Sequence, residues 1–197
     1  MRNAYRSHPS AWPVLFALAA ALASAGCLPD KSETLGDAIP AAKATDGFES
    51  SSPGLSWYNP FATTSTNPNP WGITTADKHG GANGKASPTG MPNSSASGFL
   101  LYSCTATDQK ATAVKVWYRV SSEANFDFFD VYVAPSTVSD FRATAYQKLH
   151  VSGDSGWQSL VVSGLSGTLQ TFAFCYVKDY TGSSGLDRAF IDDVSFY

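Results

Sequence analysis

From Asp46 to the C-terminus, short runs rich in aromatic and β-branched residues alternate with clusters of Gly, Ser, Asn and Pro, and no long segment places apolar residues at helical spacing. A chain patterned this way has no helical stripe to bury, so it closes its core by stacking sheets. The pattern predicts an all-β fold, a two-sheet antiparallel β-sandwich of the jelly-roll type. The expected strands are residues 47–49, 71–75, 99–105, 113–121, 126–133, 146–151, 158–162, 168–178 and 188–196. Between them, Asn67-Pro68-Asn69-Pro70 and the segments 79–84 and 180–185 carry turn chemistry. Period-2 alternation puts Val114, Val116, Tyr118 and Val120 on one face, opposite Lys115, Trp117 and Arg119. It likewise sets Phe172, Phe174 and Tyr176 against Thr171, Ala173, Cys175 and Val177, with the aromatic faces forming the core between the sheets.

The N-terminal segment has a different physical character. Arg2 and Arg6 stand there without any acidic residue, ahead of an apolar run over residues 14–25. That run is shorter than the roughly 20 residues a spanning helix needs, so residues 1–26 are expected to be a signal peptide. Small residues lead into Gly26-Cys27, which resembles a lipobox, where the thiol is lipidated and becomes the first mature residue. Ordinary cleavage after Ala23-Ser24-Ala25 is the alternative. Leu28 after the lipidated cysteine, rather than Asp, implies sorting to the outer membrane or cell surface. Residues 27–45 have no sustained period and are expected to be a flexible tether, with the folded domain over 46–197. Loss of Arg2 and Arg6 from the 13 basic residues leaves 11 against 16 acidic ones, a net charge of −5, which argues against nucleic acid as a partner.

Three cysteines fit this compartment. With Cys27 lipidated, Cys104 and Cys175 remain, either as a disulfide joining two strands or as two buried free thiols.

The block from Val114-Lys115-Val116-Trp117-Tyr118-Arg119-Val120 through Ser121-Ser122-Glu123 to Phe126-Asp127-Phe128-Phe129 resembles a pattern of bacterial surface jelly rolls. The likeness continues through Gly156-Trp157 and Phe174-Cys175-Tyr176-Val177-Lys178-Asp179, and ends in Asp187-Arg188-Ala189-Phe190-Ile191-Asp192-Asp193-Val194-Ser195-Phe196. Phe48-Glu49 fits its start, and Trp57, Trp71 and Trp157 coincide with framework positions. The chain thus resembles the MAM-like, concanavalin-like sandwiches that include cleaved-adhesin modules. The resemblance implies a non-catalytic adhesive or carbohydrate-binding module, with a glycan or a surface protein as partner and the membrane reached through the lipid. A structural or protein-interaction lipoprotein is the alternative, and a glycan-acting enzyme a more distant one.

Related jelly rolls hold Ca²⁺ between an acid on the first strand and one on the last, which implies one structural Ca²⁺ on Glu49 and Asp192, with Asp46 and Asp193 in reserve. Strict alternation in the last strand would place Asp192 with Phe190, Val194 and Phe196, and a carboxylate in apolar surroundings needs a partner. A cation supplies one. Backbone N–H groups, Arg188 or Lys178 would serve instead. The acids from Asp179 to Asp187 lack the ligand density of a calcium loop and read as a solvated turn.

For ligand binding, Trp117 beside Arg119 offers apolar stacking plus a charged donor, and Tyr58 and Tyr180 lie in loop-like sequence. The alternative is that Trp117 packs under a loop or takes a cation–π contact from Arg119. No catalytic residue is expected. Outside the signal segment only His79 and His150 offer imidazoles, and neither sits in a nucleophile-elbow, zincin or Cys–His pattern.

Overall fold

In the computed structural model of the chain, the described residues are 41–49, 57–58, 71–102, 111–165 and 170–197; side chains are not described at 57–58 and 99–102. Among them, eleven strands run in chain order: β1 Ala44–Asp46, β2 Trp57–Tyr58, β3 Gly72–Thr74, β4 Gly84–Ala86, β5 Ala96–Tyr102, β6 Ala113–Ser121, β7 Phe128–Pro135, β8 Gln147–Val151, β9 Gln158–Ser163, β10 Gln170–Val177 and β11 Arg188–Phe196. The only helical element described is a single 3₁₀ turn, Thr144–Tyr146. The strands form two antiparallel sheets packed as a sandwich. One, sheet A, has the order β3-β4-β11-β6-β9 with β1 also on β11; the other, sheet B, has the order β2-β5-β10-β7-β8.

The core lies between the sheets where alternation predicts it. Val114, Val116, Tyr118 and Val120 of β6 meet Phe172, Phe174 and Tyr176 of β10 and Phe129, Val131 and Val133 of β7. Trp71 joins this cluster, its ring 6.1 Å from that of Phe129. Phe172 packs edge-on against Phe196 at 5.4 Å. Truncating one such fully buried ring to Ala costs about 3–5 kcal/mol.

The edges of the pattern differ from expectation. The first strand ends at Asp46, because Asp46 Oδ1 accepts the Phe48 N–H at 2.8 Å and turns the chain through a left-handed Phe48 with φ of 57°. Pairing begins earlier than the expected domain start, with Lys43 N donating to Phe196 O at 2.7 Å. The short strand β4 was not expected, since Gly84-Lys85-Ala86 carries no β-branched or aromatic residue.

The largest correction is in β11. Asp192 faces Trp117 of β6, yet the next matched pair is Ser195 with Lys115, so β11 spends three residues where β6 spends two. The extra residue is a bulge at a left-handed Asp193, φ 45°. One inserted residue reverses the parity of everything after it. Phe190 and Asp192 therefore stand on the outer face, while Val194 and Phe196 enter the core. Period 2 holds on each side of the bulge and fails across it.

Candidate functional site

Two outer surfaces carry the residues singled out from sequence. On the outer face of sheet A, Lys115, Trp117 and Arg119 project together, as alternation requires. The face is roofed by the loop of residues 75–83. His79 stacks on Trp117 with ring centroids 3.8 Å apart and planes 14° from parallel. The Lys115 ammonium lies 5.0 Å from the Trp117 ring, so the cation–π partner is Lys115 rather than Arg119. Arg119 instead pairs with Asp77 of the roof and lies 3.5 Å from Asp154. Trp157 Nε1 donates to the same Asp77 at 3.0 Å. Trp117 is half-buried and engaged by His79 and Lys115, so it offers no open platform.

Three of the four acids expected to hold a cation, Glu49, Asp192 and Asp193, hold this roof down. Asp192 Oδ2 accepts the N–H groups of His79 and Gly80 at 2.9 and 3.1 Å, and its Oδ1 accepts the Asp193 N–H at 2.8 Å. Glu49 Oε1 accepts from Ala82 and Asn83 at 2.8 and 3.2 Å. Asp193 Oδ2 sits 2.7 Å from His79 Nδ1, and Asp46 serves the Phe48 turn. The approach is so close that a Cβ at Gly81 would lie 1.8 Å from Glu49 Oε1, and Gly81 is left-handed at φ 53°. Only glycine fits there. Burial raises the Asp192 carboxyl above its ordinary value, while the three peptide N–H groups pull it back. Asp192 is thus partnered by backbone N–H groups, and neither Arg188 nor Lys178 reaches it: Arg188 Nε donates to Ser87 O. Among the described residues no three His, Cys, Asp or Glu side chains converge to hold a metal ion.

The second surface lies at one end of the sandwich, where segments 91–95, 121–127 and 178–187 meet. Val177 faces Phe128 in the β10–β7 ladder, and just beyond it the Asp179 N–H donates to Asp127 Oδ1 at 3.0 Å. Phe126 and Tyr180 each lie one residue past that bond. Leu186 N donates to Ser121 Oγ at 3.0 Å, and Gly182 packs so tightly on Glu123 that a Cβ would lie 1.9 Å from its carboxylate. Three of the four exposed large hydrophobics among the described residues are here: Tyr180 at 77 %, Phe126 at 52 % and Leu186 at 52 % exposure.

Beneath them sits a buried ion network. The Lys178 side chain is 0 % exposed, and its ammonium donates to Ser183 Oγ at 2.8 Å and to Asp187 Oδ2, with Asp127 Oδ2 3.5 Å away. Tyr176 OH donates to the other Asp187 oxygen at 2.8 Å, and burial drives that phenol upward. Residues 181–186 are exposed, as a solvated turn should be, but Asp187 at its base is an internal counter-ion.

Neighbouring this end on the outer face of sheet B, Phe128 stacks on His150 at 4.0 Å, and His150 Nδ1 lies 2.6 Å from Asp130 Oδ1. Cys175 faces Asp130 from the other side in the ladder. Its thiol is free and buried, and Cys104, with which a disulfide was one expectation, lies outside the described residues. Cys175 belongs to an outer-face cluster with Tyr132 and Ala173. Burial pushes the thiol up to about 12, against the pull of Arg142 and with a further push from Asp130. Cys27 and the Tyr58 side chain also fall outside the described residues.

Alternation brought Trp117 and Arg119 to one face, and the exposure of Tyr180 agrees with its loop-like sequence. Sequence reasoning missed the roof residues Asp77 and His79, the exposed Phe126 and the Phe128–His150 stack. The alternation Phe126, Phe128, Asp130 against Phe129 and Val131 was the available signal for the last of these.

The chain matches no protein-family model and no curated protein. Among solved structures it is similar to the K3 cleaved adhesin domain of Lys-gingipain from Porphyromonas gingivalis, with 17 % identity and a TM-score of 0.54 over 80 % of this chain and 99 % of that one. The K1 cleaved adhesin domain of the same protein gives 13 % identity and 0.51 over 78 % and 96 %. The C-terminal family 22 carbohydrate-binding module of Clostridium thermocellum Xyn10B gives 12 % and 0.50 over 81 % and 96 %. The shared property is the fold. It is the jelly-roll sandwich expected from the strand pattern.

Proposed function

We propose that this chain is a non-catalytic adhesive or carbohydrate-binding module, held at the outer membrane or cell surface by lipid on Cys27. The observation that carries the reading is the concentration of exposed Tyr180, Phe126 and Leu186 at one end of the sandwich, on loops fastened from below. Aromatic side chains left in water on a preorganised scaffold lose little freedom on binding. The adhesin and carbohydrate-binding domains that share the fold support the same assignment by analogy.

The titratable groups support a role without catalysis. Asp130 stands between Cys175 and His150 across the ladder, so the imidazole is not beside the thiol, and the thiol is held protonated far above neutral pH. His79 is spent on Trp117 and Asp193.

The test is retention of the purified full chain by a polysaccharide panel in affinity electrophoresis. Retardation by one or more glycans supports the module, and retardation by none removes the carbohydrate reading. The anchor is tested separately: incorporation of a labelled fatty acid in cells should vanish in Cys27→Ala. A protein partner is the second reading, favoured by Leu186, whose aliphatic surface suits another protein's apolar patch.

A further inference from the structure

We infer that the exposed end built by segments 91–95, 122–127 and 179–187 binds an uncharged polysaccharide, with Tyr180 and Phe126 as its stacking residues; this rests on the reading of the chain as a glycan-binding module.

The argument is one of charge. These three segments contain no Lys or Arg. Lys178, the one cation of the fuller segment 178–187, is wholly buried against Asp127 and Asp187. A polyanion would therefore meet no positive side chain at this surface, and recognising a carboxylate or sulfate polymer requires one. Of the four acids here, Glu123 is half-buried with its carboxylate packed against Gly182, and the other three are engaged internally. Asp127 is fully buried and Asp187 mostly so, both on Lys178, and Asp179 Oδ1 accepts the Thr181 N–H at 2.8 Å. A polycation finds few free carboxylates.

What remains in water is Tyr180, Phe126 and Leu186 among Asn93, Ser94, Asn125, Thr181 and Ser184. Aromatic faces beside neutral hydroxyl and amide groups match the two surfaces of a sugar ring, its apolar C–H face and its equatorial hydroxyls. The geometry is also fixed before any ligand arrives. Tyr180 follows directly on the Asp179–Asp127 bond, and the turn beyond it is clamped at Gly182 by Glu123 and at Leu186 by Ser121. The internal pairing of Lys178 with two acids thus does two things: it anchors the loop, and it removes charge from the surface the loop presents.

The test is affinity electrophoresis of the full chain against neutral polymers (a β-glucan, a mannan, a galactan and a xylan) and anionic ones (alginate and polygalacturonate). It is run on wild type, Tyr180→Ala, Phe126→Ala and, as a control on the neighbouring face, His150→Ala. The expected result is retardation by a neutral polymer only, weakened about tenfold or more in the two tip variants and unchanged in His150→Ala, with melting temperatures of the tip variants at the wild-type value. Preference for an anionic polymer overturns the inference and leaves the module reading in place. So does neutral binding that survives both tip substitutions and is lost in His150→Ala. Retardation by no polymer overturns both together.

Discussion

The outer face of sheet A and the exposed loop end use the same materials, aromatic rings beside acids, to opposite effect. On sheet A the rings of Trp117, His79 and Trp157 are turned toward one another and tied to Asp77 and Asp193. At the loop end Tyr180 and Phe126 are left in water. The acids differ in the same sense. Asp192 is satisfied by two peptide N–H groups of a roof that covers its face and by the N–H of its own neighbour Asp193. Asp187 is bonded from inside by the Lys178 ammonium, which also lies 3.5 Å from Asp127, a carboxylate that takes one N–H from the loop, that of Asp179. A carboxylate held by a loop's own peptide groups needs that loop lying on top of it. A carboxylate held by a buried lysine does not, and the difference decides which surface is open.

The sharpest way to break this comparison is to remove the lysine. Lys178→Met keeps the stem volume but leaves Asp127, fully buried, without its counter-charge; breaking a buried pair on one side costs about 3–5 kcal/mol. Denaturant unfolding should show a loss of that order. A variant as stable as wild type would mean that the network does not hold the loop end, and the contrast with sheet A would fall.

A smaller loss is expected on the other side. Asp192→Asn keeps one good acceptor for three N–H donors, and donors left unpaired in a buried site cost about 1–3 kcal/mol. The pH dependence carries a definite sign. Burial holds the Asp192 carboxyl above its ordinary 3.8, so the folded protein binds this proton more tightly than the unfolded chain does. Its charge costs stability at neutral pH, and that cost is relieved as pH falls through the raised folded value toward the unfolded one. Asn cannot take up the proton, so the stability gap between wild type and Asp192→Asn should widen on acidification to about pH 4. A gap that narrows would place the N–H clamp, rather than desolvation, in control of this group. Calcium gives an independent check: if peptide groups are the partners of Glu49 and Asp192, neither Ca²⁺ nor EDTA shifts the melting temperature.

How much of this was legible in the sequence follows from which interactions are periodic. Strands β6 and β11 appear with the bounds read from sequence, and the inward rows of β6 and β10 are as alternation placed them, because one face of each is wholly apolar. The bulge at Asp193 leaves no trace in residue type, since Ile-Asp-Asp-Val reads as strand with or without an inserted residue. The roof over Trp117 was hidden for a related reason. His79-Gly80-Gly81 reads as a turn, and nothing local says that it will lie across residues about forty positions further on. Lys178 was hardest of all: a lysine just past a strand ordinarily points to water, and its burial depends on Asp127, 51 positions away by number. Local chemistry was readable where the chain is its own neighbour, and the site is assembled where it is not.

The finest test compares two aromatic residues that the sequence offered as candidate ligand contacts, Trp117 with packing under a loop as its alternative and Tyr180 in loop-like sequence. Trp117 is stacked beneath His79 and flanked by Lys115, so Trp117→Ala should destabilise by about 1–3 kcal/mol and release the roof. Tyr180 is 77 % exposed, and its replacement by Ala should change stability by no more than about 0.5 kcal/mol. Hydrogen exchange at the His79 and Gly80 amides should speed up in the first variant and stay unchanged in the second. Equal destabilisation by the two would show that the loop end is packed as tightly as the roofed face, and Tyr180 would then have to be counted as structure.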